Sequence, residues 1–328
     1  MLSDVFFNRY EGTPLWSKWS LLEQRLLVQC SQILEGDLFP IVTNADRKDS
    51  NSLFWDRSTS QLCRELGRTN LSATHYKSGG SWFPYNVRSQ ALNFLRAVPA
   101  NVPDIDAFVK ERLSLVELLF REAHERNGKM EATAHKSPGF FSAVHSRNVT
   151  ALEAATEEIN VRFARAGAPL NYHNGFIQIS RDALSAQRIE RPFWVLVDDP
   201  KWLNVDLEMK DAIDRRDSGA SDSAFYASKA LESAVKVIGH ERRWSTGKER
   251  GAADHIDNLT NKTGDRMLQS WQVDSLKTIF SKVRNPLGHG AGPMNAVQLT
   301  SEEIDWAIST CMTWISYLVR NHMRRQAA

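Results

Sequence analysis

The chain has 328 residues, and its 41 Lys plus Arg stand against 39 Asp plus Glu for a formal charge of +2. That length predicts about two domains at roughly 150 residues each, and hydrophobic and charged shares of 42% and 24% exclude wholesale disorder. No run approaches the ~18 apolar residues of a membrane span, and the near balance of charge excludes a large sequence-independent grip on nucleic acid.

Residues 16–35 place Leu21, Leu22, Leu26, Ile33 and Leu34 at helical spacing, with Gly36 as the expected stop. The Gly-Gly pair and proline of 77–90 predict a loop. A long apolar face follows over 103–126 (Val109, Leu113, Val116, Leu119, Phe120), and after a polar, Gly/Pro-bearing stretch at 127–141 a helical pattern resumes over 150–166. Asn174-Gly175 separates two short β-prone runs, the signature of a small hairpin. Pro192, Pro200 and the polar run 214–222 mark a domain boundary near residue 200, dividing the chain into 1–200 and 201–328.

The second part reads as a helical bundle. Helix 223–240 repeats Ala227, Leu231, Ala234, Val235 and Ile238. A polar connection covers 241–266, and helix 267–283 puts Leu268, Trp271, Leu276, Ile279, Phe280 and Val283 on one side. Thr300-Ser301-Glu302-Glu303 is a capping-box pattern opening a last helix whose core stripe runs from Ile304 through Cys311 to Val319. Trp306 and Trp314 stand beside that stripe and suit core or dimer packing. The expected fold is mainly α: an N-terminal helical domain with a small β-hairpin element, then a C-terminal helical bundle.

Between the last two helices lies VRNPLGHGAGP, residues 283–293. On a continuous helix Arg284 and His289 would stand about 140° apart. Pro286 and Gly288 predict instead a broken helix from which the two side chains converge. A permanently charged guanidinium beside a group titrating near neutrality suits phosphoryl chemistry, Arg holding phosphate charge while His moves a proton. Arg68/His75 and Arg250/His255 have similar spacings, so spacing alone selects nothing. Glu232 either orients Arg284 or pairs along its own helix with Lys236 or Ser228. The run Arg242-Arg243-Trp244, with Lys248 and Arg250, interleaves cations with an aromatic, as base-stacking surfaces do, and reads equally as a solvated linker. Cys30, Cys63 and Cys311 are odd in number and far apart, and no His pair has ligand spacing. A disulfide scaffold and a metal site are both unexpected, and a reducing, cytoplasmic setting fits.

The ALES stretch at 230–233, the polar linker, the helix ending in Arg284-Asn285, then His289-Gly290 and the capped last helix together resemble the C-terminal domain of bacterial abortive-infection proteins, a branch of the HEPN superfamily of α-helical RNases. The likeness covers roughly 205–322, and the length and texture of the N-terminal part are similar to AbiJ-type defence proteins. The resemblance implies a metal-independent, cofactor-free endoribonuclease, the effector of an anti-phage system, that dimerises so that two motifs share a cleft. It assigns catalysis to Arg284, His289 and Asn285, support to Glu232, and RNA contact to Lys282, Lys236, Arg242 and Arg243. Structured RNA such as tRNA would be the substrate, a phage trigger or defence partner the regulator, with no membrane involved. The alternative is a non-catalytic HEPN-like module that binds RNA, a nucleotide or a protein; weaker still, the motif is only a turn in a helical scaffold.

Overall fold

Two apolar cores that share no residue organise the chain in a computed structural model, which describes residues 4–43, 49–100, 102–136, 139–180, 182, 185–260, 267–288 and 298–326. The compact units around them are Ser3–Ser180 and Arg181–Ala328. Among the described residues the architecture is mainly helical, with two small two-stranded antiparallel sheets.

The first unit runs α1 (Phe6–Arg9), α2 (Leu21–Ile33), α3 (Ser52–Glu65), β1 (His75–Ser78), β2 (Ser81–Pro84), α4 (Val87–Arg96), α5 (Ile105–Lys136), α6 (Phe140–Arg165), β3 (Leu170–His173) and β4 (Phe176–Ile179). Ser20 caps α2, its Oγ accepting from Leu22 N–H at 3.1 Å while the Glu23 carboxylate takes Ser20 N–H at 2.7 Å. Gly36 does not stop this helix; it lies inside a widened π turn, Leu34–Leu38. Helix α5 is the axis of the unit, with every residue from Phe108 to Phe120 buried. It continues through the polar stretch at 127–136, so the expected break there is absent.

Burial of charge on α5 is tolerated because each group is bonded. Lys110 Nζ donates to the carbonyls of Tyr10 (2.6 Å) and Thr13 (2.7 Å) and to Asp106. Glu117 accepts from Arg9 at 2.7 and 3.0 Å, from Arg121 at 2.5 Å, and from Ile177 N–H at 2.8 Å. Burial would push its carboxyl up, but the two guanidiniums outweigh that and hold it below the ordinary carboxylate value. This hub ties α1, α5 and the hairpin β3–β4 together. The hairpin turns at Asn174-Gly175, as expected, with φ of 41° and 86°. A second hairpin, β1–β2, replaces the loop expected over 77–90. Gly79-Gly80, at φ 54° and 86°, forms its two-residue turn.

The second compact unit opens at Arg181. A π turn (Ala186–Glu190), α7 (Arg191–Val197) and a 3-10 turn (Pro200–Trp202) put Phe193, Trp194, Val197 and Trp202 into its core. Then come α8 (Leu203–Asp217), α9 (Ser223–Glu241), α10 (Ala252–Asn258), α11 (Ser270–Ile279), α12 (Asn285–Gly288) and α13 (Ser301–Gln326). The polar run expected to break the chain at 214–222 starts inside α8, where Asp214, Arg216 and Asp217 are buried. Helix α9 packs against both α8 and α13. The stripe of α13 is buried from Ile304 to Val319 as its spacing requires, and Thr300 closes the capping box. Thr300 N–H donates to Glu303 at 2.9 Å, and Glu303 N–H to Thr300 Oγ1 at 3.3 Å. Trp271 is 68% exposed, which removes it from the apolar face expected for α11, and Trp306, at 58%, is outside the core as well.

Candidate active site

The site is built where α11 loosens. Its last turn widens into a π turn, Phe280–Arg284, in which Asn285 N–H reaches back five residues to Phe280 O. The chain then stays helical from Asn285 to Gly288, through Pro286. The helix does not break at Pro286; the irregularity among the described residues is the π turn before the proline, and the chain directly after Gly288 lies outside them. The physical reason is that proline has no N–H to donate and crowds the carbonyl four residues back, and a widened turn just upstream relieves both demands. His289 lies outside the described residues.

Arg284 is thereby aimed at the central helix α9. Its Nη2 donates to Glu232 Oε2 at 3.0 Å, and the other carboxylate oxygen of Glu232 takes Lys236 Nζ at 2.8 Å. Both readings of Glu232 thus occur together, orientation of Arg284 and the helix-face pair. The Ser228 option does not arise, since that hydroxyl is buried and donates to Ala224 O at 2.8 Å. Asn285 stands beside the guanidinium, its Oδ1 3.4 Å from Arg284 Nη1. The Phe225 ring lies 6.0 Å from the guanidinium carbon, at the outer limit of a cation–π contact. Glu232 is nearly buried while the Arg284 side chain keeps 29% exposure, so the carboxylate fixes Nη2 of a guanidinium that is part exposed and whose Nε is buried.

What it faces is a cavity of about 490 Å³ whose walls include Arg284, Asn285, Phe280, Ser281, Lys277 and Arg250. The sequence assigns none of Arg250, Phe280 and Ser281 to this site: Phe280 stands in the apolar face of its helix, and Ser281 shows no signal. Arg250 does belong to the basic run noted there, which is the one signal that could have found it. The other expected RNA contacts are dispersed. Lys282 is exposed on the π turn but does not line the cavity. Lys236 is held by Glu232. Arg242 is committed elsewhere: its Nη2 donates to His322 O at 2.8 Å and its Nε to His322 Nδ1 at 3.2 Å, so it closes the C-terminal turn of α13. Arg243 is exposed with φ 56°.

A central helix flanked by α8 and α13, with a carboxylate that steadies an arginine at the end of α11, is the frame of the second unit's site. The profile of the HEPN-like Abi C-terminal family matches residues 204–322. The profile of AbiJ N-terminal domain 4 matches residues 4–195, and the chain belongs to the AbiJ-type abortive-infection family. No curated protein and no solved structure matches the chain. Among the described residues no helix is long and apolar enough to cross a membrane.

Proposed function

We propose that the second unit is a HEPN-type endoribonuclease working without a metal ion, and that the whole chain is a cytoplasmic effector of abortive infection. The observation that supports this reading best is the presentation of Arg284: Nη2 pinned by a nearly buried Glu232, and the part-exposed side chain set in the wall of a cavity with Asn285 alongside. A guanidinium fixed in that way is prepared for the charge that builds on a phosphate during in-line attack, and costs little reorganisation when the charge appears. His289, five residues on in the sequence, takes the proton from a ribose 2′-OH or returns one to the leaving 5′-oxygen. Asn285 orients the phosphate. Attack by the 2′-OH restricts the substrate to RNA and leaves a 2′,3′-cyclic phosphate and a 5′-OH.

A guanidinium and an imidazole can stabilise phosphate charge and move the proton without a divalent ion, and the nearby carboxylate of Glu232 is already taken by Arg284 and Lys236. Two copies of the chain pair so that two such motifs line one cleft, and the AbiJ-type unit senses a phage trigger or defence partner and holds the nuclease in check.

The test compares purified wild type, Arg284→Ala and His289→Ala on RNA in the presence of EDTA. Wild type is expected to cut and to leave cyclic-phosphate ends. Each variant should lose at least about a hundredfold in rate, the scale of a missing proton-transfer or charge-stabilising group. Cutting that persists in His289→Ala, or that requires added divalent metal, would contradict the assignment. In that event the non-catalytic HEPN-like module becomes the better reading.

A further inference from the structure

We propose that the cavity beside Arg284 is a subsite for one unpaired nucleotide of single-stranded RNA, with Arg250 holding the phosphate adjacent to the one at Arg284. This rests on the nuclease reading and names the form of substrate that the site takes.

Size is the first constraint. About 490 Å³ falls in the range that encloses a small organic ligand and accommodates a nucleotide. A base paired in a duplex is not free to enter such a concavity, whereas an unstacked one is.

The second constraint is the distribution of donors and acceptors along the walls. Lys277 is already spent, with its Nζ 2.6 Å from Asp257 Oδ1. Thr278 Oγ1 and Ser281 Oγ donate to their own helix, to Asp274 O at 2.8 Å and Thr278 O at 3.2 Å. With their protons used, these hydroxyls offer lone pairs, which accept from a base N–H but cannot grip a phosphate. The guanidiniums left for phosphate oxygens are Arg284 and Arg250. Arg250 is exposed and makes no ion pair among the described residues, although its backbone N–H donates to Asp254 Oδ2 at 2.7 Å.

Third is the electrostatic setting. From Ser275 to Gly288 the sequence carries Lys277, Lys282 and Arg284 and not one carboxylate. Among the described residues no acid lines the cavity, and the carboxylates bonded to its lining residues, Asp254, Asp257 and Glu232, already accept from Arg250 N–H, Lys277 and Arg284. Two guanidiniums, hydroxyl acceptors and Phe280 as an apolar wall in one cavity supply the groups that two phosphates and the ribose and base joining them would meet.

The experiment uses the full chain and two probes, a single-stranded 2′-O-methyl 12-mer that cannot be cut and a perfectly paired duplex of the same sequence. Fluorescence anisotropy gives Kd and its salt dependence for wild type, Arg250→Ala and Arg250→Lys. Cleavage of the unmodified strand gives KM and kcat. Arg250→Ala is expected to weaken binding of the single strand about five- to tenfold, uniformly across sequences, and to flatten the salt slope by the equivalent of one phosphate contact. KM should rise in step and kcat change less than twofold. Arg250→Lys should recover part of the loss because the charge is kept and the bidentate geometry is not. Arg250 is exposed, so its replacement should leave the thermal midpoint within about 2 °C of wild type.

An Arg250→Ala protein that binds and cuts like wild type overturns the subsite and leaves the nuclease reading standing. A wild type that binds and cuts duplex as well as single strand overturns the single-strand assignment alone. A folded wild type that neither binds nor cuts any RNA removes both.

Discussion

Glu232 holds two cations with two oxygens, and only one of those contacts has a functional consequence under the nuclease reading. Removing its charge in Glu232→Gln keeps a carbonyl acceptor for one partner but loosens the charge-assisted bond to Arg284, an interaction of about 2–3 kcal/mol when partly buried. The expected outcome is a fall in kcat of about 30- to 100-fold with KM nearly unchanged, because Glu232 positions Arg284 and touches no substrate. A structural role would lower stability and leave the kinetic split flat, so wild-type kcat in a less stable Glu232→Gln protein would sink the positioning role.

The pair is instructive about legibility. Helical spacing alone could offer Lys236 as the partner of Glu232, since four residues along a helix is a local relation. Arg284 is 52 residues away in sequence, and only the family pattern brought it into view. Arg250 was hidden for a different reason: an exposed arginine in a polar linker looks the same whether or not a cavity opens beside it.

Elements were legible where periodicity and caps agreed and illegible where packing overrode them. The last helix announced itself through Thr300 and its apolar stripe, and Asn174-Gly175 through its turn chemistry. Gly79-Gly80 carries the same kind of turn, yet its strands are wholly exposed and show no apolar alternation to betray them. Gly36 and Pro286 were expected to break helices, and the polar run at 214–222 to mark the passage between domains. Gly36 lies inside a π turn, Pro286 follows one, and the start of the polar run is buried in α8 through its ion pairs, with Arg216 Nε 2.9 Å from Asp217 Oδ1.

The same region makes a pH prediction. Glu190, on the π turn before α7, has its carboxyl pushed up to about 7, first by burial and then by Asp217, Asp182 and Asp305, against the pull of Arg216. Its folded value lies above its unfolded one, so the folded state holds a proton that the unfolded chain has released between about pH 4.5 and 7. Stability from this group is therefore present at the acid end of the window and lost as pH rises through 7. Glu190→Gln, which is neutral at every pH, should raise the melting temperature of the second unit at pH 8. An increment of about 3 °C or more is expected, shrinking toward zero near pH 5. An equal shift at both pH values in calorimetric scans would show that the carboxylate is not the cause.

At the scale of the whole molecule the near-zero charge sharpens into a statement about how many phosphates the protein can hold. Residues 236–284 contain ten basic and six acidic side chains, an excess that looks larger than it is. Lys236 is taken by Glu232, Arg242 by the end of α13 and Lys277 by Asp257. What remains toward the cavity is chiefly Arg284 and Arg250, with Lys282 exposed nearby. Two or three phosphate contacts on single-stranded RNA correspond to a slope of about −2 in log Kobs against log salt, since each contact contributes roughly −0.7. Wild-type protein titrated with the uncleavable 12-mer between 50 and 300 mM salt is expected to give such a shallow line, and affinity should hold up at the upper end better than that of a strongly basic RNA binder. Pairing of two subunits at one cleft would at most double the slope, to about −4. A slope of −6 or steeper would require phosphate-binding cations well beyond this site, and would mean that the RNA follows a path across the protein other than the cavity at Arg284.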